Sequence, residues 1–506
     1  MPPRDSLPDV PSIRRPPPAV LAFLLVLASA NGASAEESTI LERSSAAIDR
    51  THARYELQGI EIRGNERTRD RVILRYLPFR PGDLFDVDDP EIELARYRLL
   101  GTGFFSNVSL SLKKGDRRGA VVLVVDVVER NTVVVNELWM GLAADADADG
   151  NARPLTAYGG IDVAETNLAG TGVSLGGAIG VAQDQLALRT RFLDPAFLGT
   201  SWMVSAGLLY NNARDFFGNR DVLYVDEQAI DRVQDYAVVS YERFGGSVGA
   251  GFDLSTSTQA FFDYRLERID AALPMAASHR RGLDIEPIDF DVLPGKSVLS
   301  TLRASLVVDT RDQPILPTRG VHALLHTDLS MAPFGSDYAY TKIQFRAERF
   351  FPLPWRHVAK VELFAGMISG DAPFFEQFYI GDFTDLLPDR VLDLNTDRRP
   401  APNFLDTSIA EVRYGDYAAK IQGEYRIPLY RGRRAVYGID VFGSTGVYGV
   451  AKARDLKQPP RGYSNSQRLP VDLTFNLGFR MDTNAGGFVF AFSNVLGFIP
   501  VGEASP

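Results

Sequence analysis

Hydrophobic and polar positions follow two different rules along the chain, and the change falls near Val133. Upstream, strand and helix periods occur side by side. Leu57, Ile60 and Ile62 mark a first strand, ended by Gly64-Asn65. Thr68–Leu77 then places Val72, Leu74 and Leu77 at helical spacing, and Pro78 stops it. Gly82-Asp83-Leu84-Phe85 reads as a turn and a short extended piece. Asp88-Asp89-Pro90 starts a second helix, an acidic cap with proline in the first turn. Ile92, Leu94, Ala95, Leu99 and Leu100 give that helix an apolar stripe, and Gly101 and Gly103 close it. Val108–Leu112 and Ala120–Glu129 pair as a hairpin around Lys113–Gly119. Residues 55–132 are therefore expected to form a compact α+β unit in the order strand, helix, helix, strand, strand.

From residue 133 to residue 506 helical spacing disappears. Segments of roughly ten residues alternate apolar and polar between glycine, proline or aspartate turns. Lys342, Gln344, Arg346 and Glu348 oppose Ile343, Phe345 and Ala347. Lys420, Gln422, Glu424 and Arg426 oppose Ile421, Gly423, Tyr425 and Ile427. Asp472, Thr474, Asn476 and Arg480 oppose Leu473, Phe475, Leu477, Phe479 and Met481. Side chains two apart share a face. Fifteen such segments run from Val134 to Phe498. The pattern predicts a transmembrane antiparallel β-barrel. Its charged wall, with Lys342, Arg346, Glu348, Lys420 and Arg426, lines the lumen, and its apolar face meets lipid. A soluble sandwich alternates too; the number of segments and the export signal described next favour the barrel. Glu376–Arg390, EQFYIGDFTDLLPDR, interrupts the alternation as a long loop able to fold back and fill the lumen. Trp139, Trp202 and Trp355 each fall near a predicted strand end and are expected at the periplasmic rim.

Composition narrows the setting. The chain has 506 residues, no cysteine and a formal charge of −10. That excludes disulfides and cysteine metal sites and argues against nucleic acid as a partner. Residues 1–35 read as a secretory signal, with Arg4, Arg14 and Arg15 ahead of the apolar run Ala19–Ala30 and Ala33-Ser34-Ala35 as the cleavage site. Residues 36–54 read as a polar leader. No later apolar run approaches the roughly 18 residues of a spanning helix, so a membrane location requires a closed barrel. Gly245-Gly246-Ser247-Val248-Gly249 fits the hydrolase G-x-S-x-G pattern but lies in a predicted strand, not a strand–turn–helix elbow. His322 and His326 lie on a strand, roughly 13 Å apart, too far for one metal. Asp145, Asp147 and Asp149 match the front of an EF-hand loop, but Thr156 stands where the bidentate glutamate belongs. They are kept as a weak Ca²⁺ candidate. No acid–base or nucleophile set is present, so no enzyme, cofactor or other metal site is expected.

Three stretches of the first unit carry a family resemblance: Ile60–Thr68 (IEIRGNERT), Pro81–Phe85 (PGDLF) and Leu99–Val108 (LLGTGFFSNV). The unit resembles a POTRA domain. The barrel adds Asn167–Gly172 (NLAGTG), Asp309–Asp312 with Pro317–Gly320, Glu424–Leu429 (EYRIPL) and Leu477–Thr483 (LGFRMDT). Residues 55–498 together resemble the BamA/TamA superfamily of outer-membrane assembly proteins. The resemblance implies a bacterial outer-membrane barrel of 16 strands with its POTRA domain in the periplasm. It implies assembly, insertion or translocation of polypeptides. The implied partners are unfolded outer-membrane or secreted chains captured on the POTRA edge strand, outer-membrane lipids and periplasmic accessory proteins. Two departures stand out. Family members carry an Arg-Gly-aromatic tip on the sixth extracellular loop that locks to an acidic strand residue. Here Arg390 corresponds to the arginine without the glycine and aromatic, and Gly443 occupies the acidic position, leaving Glu424 or Asp440 as its partner. Phe488–Phe498 matches the penultimate strand of the family, so one strand is either hidden within residues 376–418 or missing at the end. An altered lock leaves a channel, a secretion pore or a structural envelope protein as alternatives.

Overall fold

The computed structural model describes residues 54–493, apart from 87, 219–221, 227–228, 235, 275, 385–389, 399–402 and 433–434. The predicted signal and leader, residues 1–53, lie outside the described residues, as does the chain after Ser493.

The first unit is built from β1 (Arg54–Arg63), α1 (Asp70–Arg75), β2 (Leu84–Asp86), α2 (Pro90–Gly101), β3 (Phe105–Lys114) and β4 (Ala120–Glu129). The sheet order is β2-β1-β4-β3. β1 runs parallel to β4, and β3 runs antiparallel to it. Asp89 caps α2 by accepting from the Glu91 N–H at 2.9 Å, ahead of Pro90. Leu57, Ile73, Leu99, Leu123 and Val125 form the centre of its core. Leu74, expected in the core, points outward because α1 is a single short helix and Ile73 takes the inner position. Gly64 has φ +82°, and a Cβ there would stand 2.0 Å from the Val127 carbonyl oxygen. Only glycine fits that turn.

Downstream, fifteen antiparallel strands form one sheet among the described residues, from Val133–Ala146 to Gly486–Ser493. Each wall strand pairs with the wall strands before and after it. Alternation works as the sequence predicts. Arg243 and Glu267 are buried on the inner face, while Phe244, Val248 and Leu266 are exposed on the outer one. The first and last strands run in the same direction and form no ladder. Among the described residues they approach only at one end, where Val135 N donates to Ala485 O at 2.8 Å and Arg130 reaches Asp482 at 3.0 Å. Residues 372–416 contain a two-residue pairing, Phe378-Tyr379 with Tyr414-Gly415, and no wall strand among the described residues. Among the described residues, the hidden strand is not there.

The first unit sits on that same end of the barrel. Asn167 Nδ2 donates to Thr68 Oγ1 at 2.9 Å, and Arg69 N to Gly170 O at 3.0 Å. Arg75 donates to the carbonyls of Pro195 and Ser201 and pairs with Asp253, which also takes Arg98 at 2.5 Å. Thr256 donates to Glu91 at 2.5 Å, and Arg319 reaches Glu93 at 3.4 Å. Four barrel turns thus grip the two helices. At the far end, Val222–Asp226, Ala229–Gln234, Ala277–Arg281 and Asp284–Pro287 make a separate small sheet. Arg281 ties it to the last long loop through two 2.8 Å bonds to Asp455.

Trp202 and Trp355 lie in turns at the end where the first unit sits, and Trp355 is 84% exposed. Trp139 does not join them. It stands midway along Val133–Ala146, opposite Gly160 and on the same face as Glu137, because that strand starts six residues earlier.

Candidate functional site

The sixth far-end connection, residues 372–416, folds into the barrel. Phe374, Phe375, Phe378, Tyr379, Ile380 and Phe383 are buried against the wall residues Tyr241, Phe364 and Ile368. Phe374 meets Phe217 and Tyr241 edge-on at 5.4 and 5.3 Å. This apolar packing excludes water, which strengthens nearby ion pairs and penalises an unpaired charge.

Glu376 stands among the wall cations. Its Oε1 accepts from Arg265 Nη2 at 2.7 Å and lies 3.9 Å from Arg243 Nη2. Lys342 Nζ donates to its backbone oxygen at 2.6 Å. Arg243 and Arg265 also share Glu267, at 2.8 and 3.3 Å. The Arg243 guanidinium lies 4.1 Å from the Phe375 ring centroid. A second loop carboxylate, Asp393, takes Arg189 at 2.8 Å and Arg243 at 3.6 Å. Leu392 and Asp393 both have positive φ, 53° and 68°. That strained backbone is held by Arg189 and Asn211 donating to the Leu392 carbonyl at 3.1 and 3.0 Å. Further along, Asn395 donates to Asp215 at 3.1 Å. Arg398 N donates to Ala144 O at 2.9 Å, and Ala144 N to Asp397 Oδ2 at 3.3 Å. The loop therefore also holds the far end of the first barrel strand.

The structure does not bring the expected lock together. Arg390 lies 4.6 Å from the Tyr379 ring centroid, in the field of Asp215 and Asp393. Glu424 instead takes Arg480 at 2.8 Å, with Arg426 at 3.5 Å and Lys360 at 3.8 Å. Asp440 takes Arg431 at 2.5 Å and Arg426 at 3.8 Å. The reason is depth. Asp440 is the fifth residue above the turn of its strand, Val436–Ala451, whereas Asp215 is near the far end of Met203–Phe217. Arg426 donates to the Pro317 carbonyl, in the turn that contacts α2.

The charged wall is a ladder of interleaved acids and bases. Glu348 and Glu362 flank Lys360 at 3.3 and 3.0 Å, and Lys420 stands 4.0 Å from Glu362. Lys342 and Arg346 rest over Phe378 and Phe364, at 5.1 and 5.6 Å. The three aspartates do not converge either. Asp145 turns to Arg153 and Arg214, at 3.5 and 3.7 Å, while Asp147 accepts from the Asp149 and Asn151 N–H groups. Asp149 is left in the turn. Among the described residues no group of three acidic or histidine side chains could hold a metal ion. His322 and His326 face separate partners, Glu348 and Ser305.

The sequence singled out this loop and Arg390; the structure places Arg390 near Asp215 and Asp393 rather than near Glu424 or Asp440. Glu376, Asp393, Arg189, Arg243 and Arg265 were missed. Their signal was present, since Arg243 and Gly245, like Arg265 and Glu267, keep the period of two that marks the inner face.

Comparisons with known proteins agree with this architecture. The surface antigen variable number repeat, the POTRA family, matches residues 55–130, and the Omp85 superfamily domain matches residues 167–386. The chain carries a POTRA domain followed by an Omp85 superfamily domain. Its barrel is an outer-membrane barrel, and its POTRA domain lies in the periplasm. The outer membrane protein assembly factor BamA of Nitratidesulfovibrio vulgaris is 23% identical over 342 residues, 66% of this chain and 38% of that protein. The BamA of Neorickettsia risticii is 24% identical over 411 residues, 78% of this chain and 48% of its own length. This chain thus spans less than half the length of those relatives. CdiB from Escherichia coli shares the fold, with a TM-score of 0.52 at 10% identity over 87% of this chain and 72% of that one.

Proposed function

We propose that this chain assembles or translocates polypeptides at the outer membrane, with extended clients captured by the POTRA sheet and handed to the barrel. The observation that carries this reading is the seating of α1 and α2 on four periplasmic turns, which leaves the outer edge of β3 unpaired among the described residues. An open edge strand accepts an added strand through its backbone groups. Lys113 and Lys114 at its end are the kind of charges that keep such an edge from aggregating. The curated relatives named as assembly factors support the same reading. Outer-membrane lipids and periplasmic accessory proteins are the further partners it requires. Depletion in the native bacterium should lower the outer-membrane level of at least one other protein; an unchanged outer-membrane proteome refutes it.

A gated pore is the second reading. It is favoured by a lumen filled with a loop that ion pairs hold in place. In planar bilayers, deletion of Glu376–Arg390 should then give a stable conductance that the intact chain lacks.

A further inference from the structure

The GGSVG stretch that mimics a hydrolase motif has another use. It lies in the wall strand Ala237–Asp253, where Gly246 faces outward. Its missing side chain is the floor of a groove of about 830 Å³, within the ~300–1,000 Å³ range of ligand pockets. The flanks are Leu208, Phe244, Val248 and Leu266, all exposed on the outer face, at 59%, 61%, 61% and 47%. Their strand neighbours Arg243 and Glu267 are buried in the lumen. The groove therefore opens to lipid hydrocarbon.

Arg268 borders the groove on its extracellular side. It is exposed and has no hydrogen bond or ion pair among the described residues. Lys296, diagonal to Arg268 and directly opposite Asp270 in the ladder, is also exposed and forms no ion pair among the described residues. An arginine on the lipid face is unfavourable at mid-membrane and tolerated near the interface. Glu242 and Asp270 stand one step further out, in register with each other. This band of polar side chains marks where hydrocarbon ends, directly above the groove.

We propose that the groove is a lipid site: one acyl chain of an anionic phospholipid-like lipid lies over Gly246, and its phosphate is bound by Arg268 and Lys296. The two halves match in chemistry and in depth. An apolar channel without a side chain at its floor fits a flexible hydrocarbon chain. A guanidinium with no protein partner fits a phosphate, which it holds through charge-assisted bonds.

Native mass spectrometry of the intact protein, reconstituted with phosphatidylglycerol or phosphatidylcholine and then delipidated, tests this. The wild type should retain one phosphatidylglycerol, with a preference over phosphatidylcholine of about tenfold. Arg268→Gln should reduce that preference to within about twofold. Gly246→Leu should lower retention of both lipids. Because a Cβ at Gly246 would come within 2.8 Å of the Gly207 carbonyl, the pair Phe244→Ala and Leu266→Ala removes the flanks instead and should give the same loss. Folding is checked by heat-modifiable migration. Equal retention of the two lipids by the wild type overturns the proposal. So does retention unchanged in a folded groove variant. A groove variant that alters oligomeric state but not lipid retention would assign the groove to a second copy, and also overturns it.

Discussion

Glu376→Gln isolates what holds the plug. The substitution keeps shape and one acceptor but removes the charge that faces Arg265 at 2.7 Å and Arg243 at 3.9 Å. Both Glu376 and Arg243 are buried, so solvent cannot replace the lost partner. Removing one member of a buried ion pair costs about 3–5 kcal/mol. Two effects reduce this here. Glu267 remains within 2.8 Å of Arg243 and 3.3 Å of Arg265. Glutamine also still accepts one hydrogen bond, worth roughly 1 kcal/mol. The expected weakening is about 2–3 kcal/mol, or a rise of roughly 30- to 150-fold in the population with the loop released. Because the chain has no cysteine, Gln377→Cys supplies a unique thiol buried in the plug. Its labelling rate by a water-soluble maleimide reports release directly. Coupling is read from a double-mutant cycle with Arg265→Gln, where the pair should cost less than the sum of the singles. Labelling unchanged by Glu376→Gln, or strictly additive effects, would refute the ion-pair account and leave the aromatic packing as the sole anchor.

Three further outcomes are expected. Asp253→Asn removes the carboxylate shared by Arg75 and Arg98, so POTRA docking should weaken by about 2–3 kcal/mol. Spin labels at Arg117→Cys and Leu429→Cys would show a broadened distance distribution. Gly64→Ala places a Cβ 2.0 Å from the Val127 oxygen at φ +82°, so it should cost more than about 2 kcal/mol and make the POTRA domain the first part of the chain cut in limited proteolysis. Arg96 beside Glu93 holds its carboxyl down to about 2 from the ordinary 4.5. The contribution of Glu93 is therefore complete above 4.5 and is lost as pH falls through about 2. Glu93 is half exposed, so this is under about 1 kcal/mol. Glu93→Gln should lower stability by that amount at neutral pH and flatten the curve between about 4.5 and about 2, leaving its slope near neutrality unchanged.

Several features of this protein follow from its residues alone. The alternation in Lys342–Glu348 and Lys420–Ile427 is a local consequence of strand geometry, since neighbours on a strand face opposite ways whatever lies beside them. The number of strands could be counted for the same reason. So could the α2 cap at Asp89-Pro90 and the turn at Gly64, each set by contacts within a few residues or by one backbone angle. Partners across the lumen are another matter. Arg265 and Glu376 are 111 positions apart, and Arg189 and Asp393 are 204 apart. Their pairing depends on strand stagger, on the depth to which a long loop descends, and on which wall cations remain unsatisfied there. Period two assigned Glu424 and Asp440 to the inner face but carried no measure of height, and height is what separates them from Arg390. The loop arginine was legible as a residue of interest. Its lock, and the outward groove over Gly246, exist only once distant strands are closed side by side.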